Sequence, residues 1–177
     1  MKRFISLMMV LALCLSCSMS VFAAGPHMED SELLEKELLL AEASEIKEVK
    51  LSDGTVLTFA VLPAGPQTRG GYDLSGTARP SYSSTYTLKP QDGNFCRACV
   101  YNVDDEEGDM RVTLKYTATN GENASGSDVI TPGNRYMLLA HSENGDGMTG
   151  QVTATIAATN GASRVDFTYT VDQHWDK

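Results

Sequence analysis

The sequence predicts a mainly β chain: an antiparallel β-sandwich of about eight strands in Greek-key or meander order, preceded by one N-terminal α-helix. Three observations carry this. Runs such as Met110 to Thr119 and Val165 to Val171 alternate between apolar and polar residues, the period of a strand with one buried face. Asn120-Gly121, Pro132-Gly133, Asn144-Gly145 and Asn160-Gly161 recur between such runs, as turns must in a sandwich. Ahead of them, Glu29 to Val49 spaces its apolar residues as a helix does.

At the start of the chain, Lys2 and Arg3 precede the apolar run Phe4 to Leu15, which is too short to span a bilayer. Val21 and Ala23 then fit the small-x-small cleavage pattern, so residues 1–23 read as a signal peptide and the protein as secreted or held at the cell-envelope surface. The residues ahead of Cys14 and Cys17 fit lipid attachment poorly. Nothing later resembles a membrane span, so no integral membrane segment is expected after cleavage. Loss of Lys2 and Arg3 takes the formal charge from -9 to -11. That balance disfavours nucleic acid and anionic lipid as partners.

Residues 24–49 form the expected helical segment. Leu33, Leu34, Leu38, Ala41, Ile46 and Val49 mark its apolar stripe, Asp30 or Ser31 its cap, and acidic residues gather in its first turns. So wide a face needs a partner, either the domain itself or a second copy, and self-association through this helix is one reading.

Residues 50–177 make the sandwich domain. Ser52-Asp53-Gly54-Thr55 is a hairpin turn leading into a strand from Thr55 to Leu62 that Pro63 ends. From 64 to 84 the chain is rich in Gly, Pro and Ser without a periodic apolar face, which predicts a loop. Shorter strands are expected at Ser84 to Lys89, Arg97 to Val103, Ser127 to Ile130 and Tyr136 to His141, and a longer one from Val152 to Ala158.

Chemistry is sparse. Cys96-Arg97-Ala98-Cys99 holds the cysteines that remain after signal cleavage. An exported chain favours a disulfide between Cys96 and Cys99. In an extended strand these positions stand about 10 Å apart, beyond the roughly 7 Å a bridge spans, so the pairing requires a turn or bulge, which Asp92-Gly93-Asn94 could begin. Free thiols, or half of a metal site completed by His141 or His174, are the other readings. A redox role lacks the helix start that lowers a thiol pKa. Asp104, Asp105, Glu107 and Asp109 form a candidate calcium run, and Glu143, Asn144 and Asp146 a smaller one, although neither matches a twelve-residue calcium loop. No other cofactor is implied.

No nucleophile elbow, zinc-binding helix or phosphate loop occurs, so the sequence leans away from an enzyme. Tyr72, Tyr82, Tyr86, Tyr101 and Trp175 are candidate ligand-contact aromatics, since such rings pair an apolar face with a polar tip. The expectation is a non-catalytic module that binds a protein or glycan outside the cytoplasm. The alternatives are a self-associating structural envelope protein, and an enzyme that uses the Cys-x-x-Cys thiols.

Overall fold

The computed structural model describes residues 46–64, 72–103 and 108–175. Ten strands run through them: β1 (Ile46–Lys50), β2 (Thr55–Pro63), β3 (Tyr72–Ala78), β4 (Ser81–Leu88), β5 (Phe95–Asn102), β6 (Met110–Thr117), β7 (Asn123–Ile130), β8 (Asn134–Ser142), β9 (Gly150–Ala158) and β10 (Val165–His174). They form a six-stranded sheet, β1-β2-β8-β5-β10-β3, and a four-stranded sheet, β4-β9-β6-β7, with every pairing antiparallel.

The strand order defines the topology. From β3 to β10 each connection passes from one sheet to the other except the β6–β7 hairpin. Eight strands wound this way, as β3-β10-β5-β8 over β4-β9-β6-β7, are a jelly roll. The β1–β2 hairpin adds two strands beside β8, so the six-stranded sheet runs on past the edge strand β7.

Local chemistry explains the turns. Leu51 and Thr55 close the β1–β2 hairpin with a 2.8 Å backbone hydrogen bond, and Asp53 Oδ1 accepts one from Thr55 N at 2.9 Å. Gly54 sits there at φ 85°, where a side chain is strained. Asn160 and Gly161, at φ 55° and 78°, form the kind of turn that Asn-Gly favours.

The core lies between the sheets. Val112, Leu114 and Tyr116 of β6 and Val152, Ala154 and Ile156 of β9 face Leu57, Leu138 and Phe167 from the other sheet. The alternation of β6, β9 and β10 matches the strands expected there.

Two expectations are corrected. The helix expected to reach Val49 gives way to strand at its end: Ile46 to Val49 belong to β1, paired with β2 in a register from Ile46↔Ala60 to Lys50↔Val56. In a strand, Lys47 and Val49 share a face, so the three-residue spacing of Ile46 and Val49 was coincidental. The rest of that segment, 24–45, and the signal at 1–23 lie outside the described residues. The loop expected at 64–84 contains β3 and the first half of β4. Ser75, Ser81, Ser83 and Thr85 are exposed and gave the stretch its loop-like composition, while Tyr82 and Tyr86 keep the alternation on the inner side of β4.

Candidate functional site

β3 ends one sheet and β4 ends the other, and no backbone ladder joins the two. The sandwich is therefore unclosed along this side, and the inward-facing side chains of both edge strands line the seam. Three of the candidate aromatics meet there. The rings of Tyr72 on β3 and Tyr86 on β4 lie 5.3 Å apart at 40°, and Tyr82 stacks at 5.1 Å on Phe167 of β10. All three tyrosines are half-buried, so each gives part of its ring to the core and part to solvent. Tyr72 Oη lies 3.3 Å from Ser84 Oγ, which places a hydroxyl between the two edges.

Behind the seam stands Tyr169 of β10, edge-on to Tyr72 at 5.9 Å. Its ring is fully buried, and its Oη has no hydrogen-bond partner. A buried hydroxyl without a partner is costly and calls for an explanation. Burial first, then the nearby Cys96 thiol and the Tyr72 phenol, holds its pKa above the ordinary tyrosine value. Burial likewise raises Tyr86, helped by Asp92. These phenols stay neutral near pH 7 and can both donate and accept hydrogen bonds.

The other candidate aromatics lie elsewhere. Tyr101 points out of the opposite face of the six-stranded sheet, where it is fully buried and accepts a 3.4 Å hydrogen bond from Arg135 Nη1. Trp175 is 45% exposed just past the end of β10, and among the described residues no ring contact joins it to the tyrosines.

The disulfide is a correction: Cys96 and Cys99 are free thiols. β5 is regular strand through both, in unbroken register with β10 and β8, and the bend at 92–94 ends before Cys96. Cys96 therefore faces the sandwich interior and Cys99 the outer side. Burial raises the pKa of both, and for Cys99 the guanidinium groups of Arg135 and Arg97 oppose the shift without reversing it. A buried thiol held protonated is a poor nucleophile.

Of the calcium run, Asp104, Asp105 and Glu107 lie outside the described residues. Asp109 accepts a 2.7 Å hydrogen bond from Asn160 Nδ2. Glu143 pairs with Lys50, Asn144 Nδ2 donates to Asp53 O at 3.4 Å, and Asp146 lines a small polar hollow of about 170 Å³ at the same end. Among the described residues no three His, Cys, Asp or Glu side chains are placed to hold a metal ion. His174 lies 3.7 Å from Asp172, which also pairs with Arg97 at 3.5 Å, and its ring sits 4.6 Å from that of Phe95. His141 shares that sheet face, opposite Phe95 on β5.

Sequence reasoning missed the opposite side of the sandwich. Where β1 and β2 overhang β7, a cleft of about 440 Å³ is lined by Ile46, Lys47, Phe59, Gly126, Asp128 and Tyr136, among others. Lys47 Nζ bridges it, donating to Ser125 O at 2.9 Å with the Phe59 ring 5.8 Å away. Gly126 is required there, since a Cβ would lie 2.2 Å from Tyr136 Oη. Only the pairing of β1 with β2 creates this overhang, and the sequence offered no sign of it once Ile46 and Val49 were counted as helix.

No family model matches the sequence, nor does any curated protein. Among solved structures, the chain is similar to the dTDP-4-dehydrorhamnose 3,5-epimerase from Sulfolobus tokodaii, at 10% identity and a TM-score of 0.40 over 73% of this chain and 76% of that one. It is also similar to TmCBM61, solved with β-1,4-galactotriose, at 16% identity and a TM-score of 0.36 over 76% and 92% of the two chains. For the CBM22-1 xylan-binding domain of Paenibacillus barcinonensis Xyn10C the values are 11%, 0.30, 74% and 96%. The jelly-roll assignment rests on this chain's own strand order. Among the described residues no helix is long and apolar enough to cross a membrane.

Proposed function

We propose that the protein is an exported, non-catalytic jelly-roll module that binds a glycan along the seam between β3 and β4. The observation that carries this reading is the meeting of Tyr72, Tyr82 and Tyr86 at one unclosed side of the sandwich, half in the core and half in water. A sugar ring offers C–H faces that pack on aromatic rings and hydroxyls that exchange hydrogen bonds with phenols, and this seam supplies both. Ser84 adds a hydroxyl to the lining. Rings already held by the core lose little freedom when a ligand arrives, which favours affinity. Export rests on Lys2 and Arg3, the apolar run after them and the Ala23 site.

The test is calorimetric titration with soluble xylo-, manno-, galacto- and gluco-oligosaccharides. It uses protein recovered from the medium or envelope fraction, with its first residue read by intact mass. At least one oligosaccharide is expected to bind, with Tyr86→Ala weakening it tenfold or more, about 1.4 kcal/mol, and Tyr86→Phe keeping most of the affinity. No binding across the panel, or an unchanged affinity in Tyr86→Ala, removes the seam as the site. Protein found only in the cytoplasm, starting at Met1, removes export.

A further inference from the structure

Two aromatic residues of β10 point into the sandwich, Phe167 and Tyr169, and neither is more than 1% exposed. They differ by one hydroxyl. Among the described residues nothing pairs with Tyr169 Oη, so this group has left water without a hydrogen bond in return, which destabilises the fold. A phenylalanine at 169 would fill the same space without that cost, as one does at 167. Local rules are broken in this way chiefly at functional sites.

The surroundings of Tyr169 say which function. After burial, the groups that raise its pKa are Cys96, Tyr72, Cys99 and Tyr86, so phenols from both edges of the seam lie near it. Tyr72 packs edge-on against its ring at 5.9 Å and is itself half-buried at the rim. As part of an edge strand, Tyr72 has β10 on one side only. Across the seam its Oη meets Ser84 Oγ at 3.3 Å, longer than the usual O–H···O distance of about 2.7–2.8 Å. A weak bond therefore holds the side chain packed between Tyr169 and the rim, and turning that side chain requires no movement of the sheet.

Shape narrows what can enter. Gly76 of β3 stands opposite Phe167 with no side chain of its own and is exposed, so the rim is low beside the Tyr82 ring and rises at Tyr72, about 13 Å farther along the strand. That length suits an oligosaccharide rather than a single sugar. The opening left when Tyr72 turns is the width of one phenol, too narrow for a pyranose ring. A ring hydroxyl, attached directly to the pyranose, stays at the rim, whereas a hydroxymethyl group reaches one carbon farther and enters end-on. Inside, it meets a neutral phenol that both donates and accepts hydrogen bonds.

We infer, on the reading of the seam as the glycan site, that it takes hexopyranosyl chains, with one 6-hydroxymethyl group passing Tyr72 to hydrogen-bond Tyr169 Oη. Tyr169 thus sets specificity. A ligand that satisfies the buried hydroxyl gains affinity from it, and a pentopyranosyl chain, which has no hydroxymethyl group, gains none.

The test is calorimetric titration of the exported protein with β-1,4-linked gluco-, manno- and galactohexaose against xylohexaose, which is the glucose chain without its hydroxymethyl groups. At least one hexose chain is expected to bind tenfold or more tighter than xylohexaose. Tyr169→Phe is expected to weaken that chain about tenfold without changing the affinity for xylohexaose, and to unfold in urea at an equal or higher midpoint, because it removes an unpaired hydroxyl. Wild-type affinity for xylohexaose equal to that for the hexose chains, or a preference that survives in Tyr169→Phe, overturns the inference and leaves the seam standing, since the seam's own signature is the loss in Tyr86→Ala. A lower unfolding midpoint in Tyr169→Phe overturns it without reference to any sugar, by showing that the hydroxyl already has a partner in the unliganded fold. No binding to any of the four chains removes the seam and this inference together.

Discussion

On β6 and β9 of the four-stranded sheet, inward residues are buried and their neighbours stand partly or fully in water, position by position. On β5 and β8 of the six-stranded sheet nearly every residue is buried, whichever way it points. The inner faces of the two sheets do the same work. Their outer faces differ in kind: Thr85, Thr113, Thr153 and Thr155 stand on one, and Leu62, Cys99, Met137 and Leu139 on the other. A strand with one solvated face reads as alternation, whereas a strand covered on both sides reads as a near-continuous apolar run. The jelly roll is therefore asymmetric, with a sheet built to face water and a sheet built to be enclosed.

Three sets of substitutions sharpen or break that comparison. The largest effect is expected from Met137→Asp, which buries an unpaired carboxylate in the outer apolar row and should cost about 3–5 kcal/mol in urea unfolding. Thr153→Asp at the corresponding depth of the other sheet should cost under about 1 kcal/mol. Equal losses would mean that the two outer faces are equivalent. An intermediate effect is expected at Gly126 on β7, where an added Cβ would lie 2.2 Å from Tyr136 Oη and 2.6 Å from Phe59. Gly126→Ala should lower stability by about 1–3 kcal/mol through overpacking, whereas Ser125→Ala, pointing outward on the same strand, should change the unfolding midpoint little. The smallest effect concerns the hydroxyl pair Thr85 and Thr153, 3.0 Å apart on the solvated face. Replacing both by Val should shift stability by no more than about 0.5 kcal/mol, and a larger loss in thermal melting would show that this face is not freely solvated.

Much of the sandwich was legible because alternation is a local property. Met110 to Thr117 and Val165 to Val171 declared their buried faces, and Asp53-Gly54 and Asn160-Gly161 declared their turns, since positive φ there requires such residues. β3 and β4 were hidden because edge strands facing solvent with Ser, Gly and Thr share the composition of loops. The enclosed face left a signal that went unused: Thr-Val-Leu-Thr-Phe-Ala-Val-Leu and Tyr-Met-Leu-Leu-Ala are too continuously apolar for strands with one wet side. At the candidate site, tyrosine chemistry picked out Tyr72, Tyr82 and Tyr86, but their meeting depends on β3 and β4 ending different sheets, a fact of topology that no local pattern encodes. Tyr101 shows the converse. Its chemistry suited a surface, and its neighbours Met137 and Leu62 decided otherwise.

The edge strand β1 bears on how copies of the protein meet. An open sheet edge presents unpaired backbone groups on which another chain could grow. Among the described residues the six-stranded sheet ends on the five of β1, of which Lys47, Glu48 and Lys50 are charged. Extending the sheet through this edge would force those charges out of water to gain few backbone hydrogen bonds. The hairpin that widens the sheet also seals it, so filament growth in this direction is disfavoured by the same strand that forms the overhang.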